Sequence, residues 1–260
     1  MRDKIAGSKF WLQALKHQID DIEYFERSYK NRPETPFPSH GNQGAKGLPL
    51  LTSLFEMSLL LYSAGAPMEE VVAPGHRVVV KHFPEIVSNF GTTMPNGVPW
   101  HGYTTAHRFI AQLVLCKATQ AEAAAFFEAL EQFDRMRDAD GGYDRIWAAF
   151  RQFFGLPEVP VTSDVHWPEA YQNLWLAIDP AEPEFARPNH LKKFVDGWYG
   201  EMASELAAET TRGENLGENS TYVGYWCLEA AAASVAFGID DRELRDHPHY
   251  PGEWADWARS

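Results

Sequence analysis

Wherever large apolar residues cluster in this 260-residue chain, they recur at steps of three and four, the repeat that lines side chains along one face of an α-helix. Residues 8–29 carry Trp11, Leu15, Ile19, Ile22, Phe25 and Tyr29 in this way, with Asp20, Asp21, Glu23 and Glu26 on the polar faces. The stretch from Leu50 to Ala64 is nearly all apolar and reads as a central buried helix. Pro67 opens a third helix, with Glu69 and Glu70 near its positive end. Pro74-Gly75 predicts a break before Val78-Val79-Val80, which reads as a resumed helix to about Asn89 or, alternatively, as a short strand with no partner nearby.

Further helices are expected from Thr104 or Thr105 to about Cys116, and from Thr119 to about Asp138. The second starts with Thr119-Gln120-Ala121-Glu122, a capping box in which hydroxyl and carboxylate satisfy free amides. Residues 143–154, 168–178 and 189–210 follow, then a turn at Asp240 to Glu243. Asn31 to Pro49, with four prolines and three glycines, reads as a long loop. No stretch alternates as a half-buried strand does. The fold class is therefore all-α: roughly eight to ten helices in antiparallel pairs, as two packed helical halves. The boundary is expected at Asp138-Ala139-Asp140-Gly141-Gly142, dividing an N-terminal helical region, 1–138, from a C-terminal one, 139–260.

The most informative stretch lies late in the chain. Tyr222, Trp226, Glu229 and Ala233 share helical spacing, and Ala230 to Ala233 would let a neighbouring helix approach closely. This predicts a central helix, aromatic at its start and small at its end. Glu229 stands out on that apolar stripe, because a buried carboxylate must find donors or cations or else become protonated. Three roles are open to it: an ion pair with an Arg or Lys of another helix, a catalytic acid, or an exposed contact for a partner.

Composition adds one strong constraint. The formal charge is −13, and residues 196–260 hold 13 acids against 4 bases, so −9 of it sits in the last quarter. Such a surface repels phosphate backbones and attracts a basic protein, which argues against direct nucleic-acid binding. Glu201, Glu205 and Glu209 form a ladder at four-residue spacing, and Glu214 and Glu218 extend it. Like charges at that spacing destabilise a helix by a few tenths of a kcal/mol per pair, so the ladder is either an ordinary solvated face or part of a surface for a cationic partner. No membrane span is expected, because Thr52, Ser53, Glu56 and Ser58 interrupt the longest apolar region. The residues after Met1 lack a signal peptide's apolar core, and Cys116 and Cys227 suggest neither a disulfide framework nor a metal site.

Motifs for chemistry are sparse. His101 and His107 do not align on one helix, and the His-Glu-x-x-His, Gly-x-Ser-x-Gly and phosphate-loop patterns are absent. Asp246, His247 and His249 offer metal-ligand chemistry, although Pro248 between them favours a structural turn. No cofactor is expected. A helical metal-dependent hydrolase using this tail, or an acidic regulatory adaptor, are the alternative functions that the residues leave open.

The run from Tyr222 through Gly224, Tyr225, Trp226 and Glu229 to Ala232, then Gly238-Ile239-Asp240-Asp241 and Asp246-His247-Pro248-His249-Tyr250-Pro251, resembles the C-terminal signature of the PoNi family, immunity proteins for PoNe-type polymorphic DNase toxins. Pro168 to Leu174, Ala177-Ile178-Asp179 and Phe194 to Tyr199 also resemble that family's C-terminal half. Where the family ends in Tyr-Pro-Tyr-Asp, this chain has Tyr250-Pro251-Gly252-Glu253. The resemblance implies a bacterial cytoplasmic protein without catalytic residues, whose partner is a cognate nuclease toxin. The carboxylates of Glu201, Glu205, Glu209, Glu214 and Glu218 would then cover the toxin's cationic groove.

Overall fold

The computed structural model describes residues 2–3, 6–30, 48–90, 99–131, 141–202 and 222–260. They are mostly helical and hold no strand; a single bridge between Tyr143 and Val161 is the only extended pairing among them. The helices are α1 (Ser8–Lys30), α2 (Leu48–Ala64), α3 (Met68–His76), α4 (Phe83–Phe90), α5 (Pro99–Leu115) and α6 (Gln120–Glu131). After these come α7 (Arg145–Phe153), α8 (Pro168–Ile178), α9 (Arg187–Met202), α10 (Leu228–Ala236) and α11 (Gly252–Arg259). One π-helical stretch, Arg77–His82, joins α3 and α4 without a break, which makes ten helices among the described residues. The expected all-α architecture is what the chain adopts.

Sequence neighbours pack as helical hairpins, α1 on α2, α2 on α3 and α8 on α9, while α10 lies chiefly against α5 and touches α8, α9 and α11. Ala230, Ala231, Ala232 and Ala233 are fully buried there, so the small face does bring a neighbouring helix in close. One apolar cluster draws on helices from both sides of residue 138, including Phe126, Trp147, Tyr171, Phe194, Trp198 and Trp254.

Local signals explain the starts of α6 and α7. The Thr119 box forms as expected: its amide and hydroxyl donate to Glu122 at 2.7 and 2.8 Å, and the Glu122 amide donates back at 3.3 Å. Asp144, fully buried, caps α7 by accepting the Ile146 amide at 2.9 Å. Its other oxygen accepts the Tyr103 hydroxyl at 2.9 Å and the His166 amide at 3.0 Å, stitching α5 and the segment before α8 to that cap.

Three differences from the sequence reading have physical causes. First, Tyr222 to Cys227 are not helical; α10 begins only at Leu228. Gly224 sits at φ +96°, in the left-handed region, and the Cys227 amide donates to the His249 carbonyl at 2.8 Å instead of to its own helix. Second, Pro74 does not break the chain's third helix. Val71, Val78 and Val79 are wholly buried on this segment, and their packing outweighs the hydrogen bond that proline forfeits. Gly75 lets it lie close to its neighbours: a Cβ there would stand 2.7 Å from the Gln112 amide nitrogen and 3.0 Å from Ser58 Oγ. Val78 to Val80 are thus π-helical, not a strand. Third, α11 extends beyond the last expected turn and places Trp254 in the core, 5.3 Å from the Tyr62 ring.

Candidate functional site

The aromatic stretch and the tail close on one another. His249 Nδ1 lies 3.0 Å from the Tyr225 carbonyl, and its ring stacks on Tyr199 at 5.0 Å. The Trp226 indole donates to Ser63 Oγ at 2.8 Å, and that hydroxyl donates to the Val223 carbonyl at 2.9 Å. Gly224 is required between them, since a Cβ would fall 2.2 Å from Ser63 Oγ and 2.5 Å from the Trp226 indole nitrogen. The N-terminal residues join the same assembly. The Arg2 and Asp3 amides donate to the Ser63 carbonyl at 3.1 and 3.2 Å, and the Tyr222 hydroxyl donates to the Asp3 carboxylate. The Arg2 guanidinium lies 4.7 Å over the Tyr62 ring and pairs with Glu253 at 2.8 Å.

A second group of polar contacts locks the tail in place. Asp241 is 5% exposed and accepts hydrogen bonds from the Tyr250 hydroxyl, Arg245 at 2.9 Å and Arg259 at 3.0 Å. Burial alone would raise its pKa, but the bonds from Tyr250, Arg259 and Arg245 win and hold it below 3.8. Asp240, exposed on the same turn, is held down to about 2 by Arg242. Because the folded Asp241 binds its proton less readily than the unfolded one, its contribution is present above pH 3.8 and fades as pH falls through the folded value. Asp241→Asn is expected to cost roughly 2–3 kcal/mol at pH 7, the scale of a buried hydrogen bond to charge. Urea midpoints of the two proteins should converge as pH drops below 3.8. A gap that stays constant down to pH 2 would show that the carboxylate's charge is not what matters.

Between the N-terminal residues and the tail lies a cleft of about 620 Å³, walled by Tyr62, Tyr225, His249, Asp246, Glu253 and Asp256 among others. Asp246, Glu253 and Asp256 are exposed, and Asp3 adds a fourth carboxylate. The two guanidiniums there are already engaged, Arg2 by Glu253 and Arg245 by Asp241 and by Asp256 at 2.7 Å.

Burial lowers the pKa of both His247 and His249, so neither brings positive charge at neutral pH. His247 points at Asp196, 3.5 Å away, and no group of three His, Cys, Asp or Glu able to hold a metal occurs among the described residues.

The fold scatters the other residues that the sequence singles out. Tyr222, Gly224, Tyr225, Trp226, Asp241, Tyr250 and Pro251 all belong to this closure, whereas Asp240 faces solvent beside it. Glu201 is exposed near the end of α9; Glu205, Glu209, Glu214 and Glu218 lie outside the described residues. Glu229 is elsewhere, 2% exposed in the core between α10, α5 and α8, with Tyr171 Oη 3.5 Å away. Burial pushes its carboxyl up, and the field of Arg108 on α5 opposes that. Arg2, Asp3, Ser63 and Glu253 carry no signal in the sequence, since nothing local marks residues so far apart as neighbours.

The residues that build the tail side of this cleft match a family model described as PoNe immunity proteins (PoNi), C-terminal, over residues 142–254. This part of the chain is similar to the C-terminal region of PoNe immunity proteins. The match runs from the start of the α7 cap to Trp254, so the matched residues supply the aromatic stretch and the tail, while Arg2 and Tyr62 come from outside them. The fold as a whole is similar to the crystal structure of protein PA2201 from Pseudomonas aeruginosa, with a TM-score of 0.70 and 20% identity. That similarity covers 99% of this chain and 90% of the other, and at this identity it speaks to fold alone. No curated protein matches the chain.

Proposed function

We propose that this protein is an immunity protein that binds a cognate bacterial DNase toxin and neutralises it by covering the toxin's cationic substrate-binding or active-site surface. The match of residues 142–254 to PoNe immunity proteins carries this reading. The charge distribution supports it, because −9 of the −13 lies in residues 196–260, and a nuclease must present cations to hold phosphates. Opposite fields also accelerate the encounter of two proteins, an advantage for an inhibitor that must arrive before the nuclease reaches DNA. The carboxylates from Glu201 to Glu218 form one part of the proposed covering surface. No residue of this protein is assigned a catalytic role, and its place of action is the cytoplasm of the bacterium that makes it. No helix among the described residues is long and apolar enough to cross a membrane.

Co-expression with the product of the adjacent gene, expected to be the nuclease, tests the proposal. Cells carrying both should grow, and the two proteins should co-purify as a salt-sensitive complex. Continued killing with the immunity candidate well expressed would dismiss it.

A further inference from the structure

We propose that the cleft between the N-terminal residues and the PoNi tail is the seat for a basic side chain, arginine or lysine, presented by the toxin's DNA-binding face. This rests on the immunity function proposed above and names where the contact is made.

The cleft already shows the chemistry it favours. Within it the Arg2 guanidinium lies against Tyr62 and on the Glu253 carboxylate, so a planar cation is held by an aromatic face and an acid together. The rest of the wall repeats these elements. Tyr225 is half-buried, packed 4.7 Å from Tyr222 and 5.0 Å from Tyr199, with the His249 ring beside it. Asp246 is exposed on the rim and makes no hydrogen bond or ion pair among the described residues. Four carboxylates, Asp3, Asp246, Glu253 and Asp256, face two guanidiniums that are both already bonded, which leaves the cleft with excess negative charge. A volume of about 620 Å³ is within the range of pockets that enclose a ligand, and ample for one long side chain. Phosphate or DNA would meet repulsion there, whereas a nuclease's phosphate-binding cations would meet both charge and ring faces.

Two single charge reversals of equal size separate this site from general acidity. Asp246→Arg reverses the rim of the cleft; Glu128→Arg reverses an exposed acid on α6. The probe is the neighbouring nuclease with its catalytic residue inactivated, titrated against each full-length protein at three salt concentrations. Asp246→Arg should weaken binding at least ~30-fold and flatten the salt dependence, and Glu128→Arg should change it less than ~3-fold. Thermal unfolding of both variants should match the parent, which shows that the loss is not one of folding. Equal effects of the two reversals, or none from Asp246→Arg, would overturn the cleft as the docking site while the immunity function stands. Failure of the unaltered protein to bind the nuclease at all would remove that function, and this proposal with it.

Discussion

Gly224→Ala should be the most damaging alanine substitution among the described glycines. At φ +96° an L side chain is strained by about 1–3 kcal/mol, and a Cβ placed 2.2 Å from Ser63 Oγ adds an overpacking cost of about 1–3 kcal/mol. Neither neighbour can retreat easily, because Ser63 Oγ is held by both Trp226 and the Val223 carbonyl. A loss of roughly 3 kcal/mol or more is expected, lowering the melting temperature by roughly 6–12 °C. Gly238→Ala is the internal control: its φ is +63°, but nothing lies within 4 Å of the added carbon. That change should cost only about 1 kcal/mol, the strain alone. Equal losses at the two positions in urea titrations would show that close approach to Ser63 is unimportant.

Glu229→Ala is expected to cost roughly 1–3 kcal/mol, because buried Tyr171 would lose its acceptor and buried Arg108 the field of the carboxylate that offsets its own burial. Arg108 also lies 4.5 Å over the Phe55 ring and feels Glu56, so some compensation survives. A double-mutant cycle with Arg108→Met therefore gives the decisive number, with the double variant expected to lose well under the sum of the two single losses. Additive losses would mean that the two groups do not act on one another. The pH dependence has the opposite sign from that of Asp241. Burial raises the folded pKa of Glu229 above 4.5, so the folded state holds its proton more tightly. Its favourable contribution is present below pH 4.5 and declines as pH rises through the folded value. Glu229→Gln should flatten that part of the stability profile.

What the sequence made legible was whatever is decided within a few residues. The Thr119–Glu122 box, the α1 stripe with Trp11 and Tyr29 buried, and the buried faces of α6 and α8 follow from local spacing, and the chain folds accordingly. Glu229 was marked as an isolated carboxylate with three roles open, and only the packing of α10 on α5 and α8 shows that Tyr171 and the field of Arg108 act on it. Local reasoning failed where distant partners decide. Tyr222 to Cys227 carry helical spacing and still stay out of the helix, because their backbone bonds to a tail segment more than twenty residues on. Pro74 signals a break that the burial of three valines overrides. Short α11 left a faint trace in the spacing of Trp254 and Trp257, which eight residues cannot turn into a clear period. As for the candidate site, the sequence placed the toxin contact on Glu201, Glu205, Glu209, Glu214 and Glu218, of which only Glu201 lies among the described residues, and it marked the tail motif as structural. The cleft's other wall comes from Arg2, Asp3 and Tyr62, and no sequence pattern joins them to it.

The bond from Arg2 to Glu253 joins residues 251 positions apart, and Tyr222 to Asp3 is nearly as distant. Neither can form while the ribosome is still assembling the later partner, so every helix before α11 must hold its place without this clasp. The cavity is in this way finished only once residue 253 has met residues 2 and 62, with the two distant segments acting as the latch.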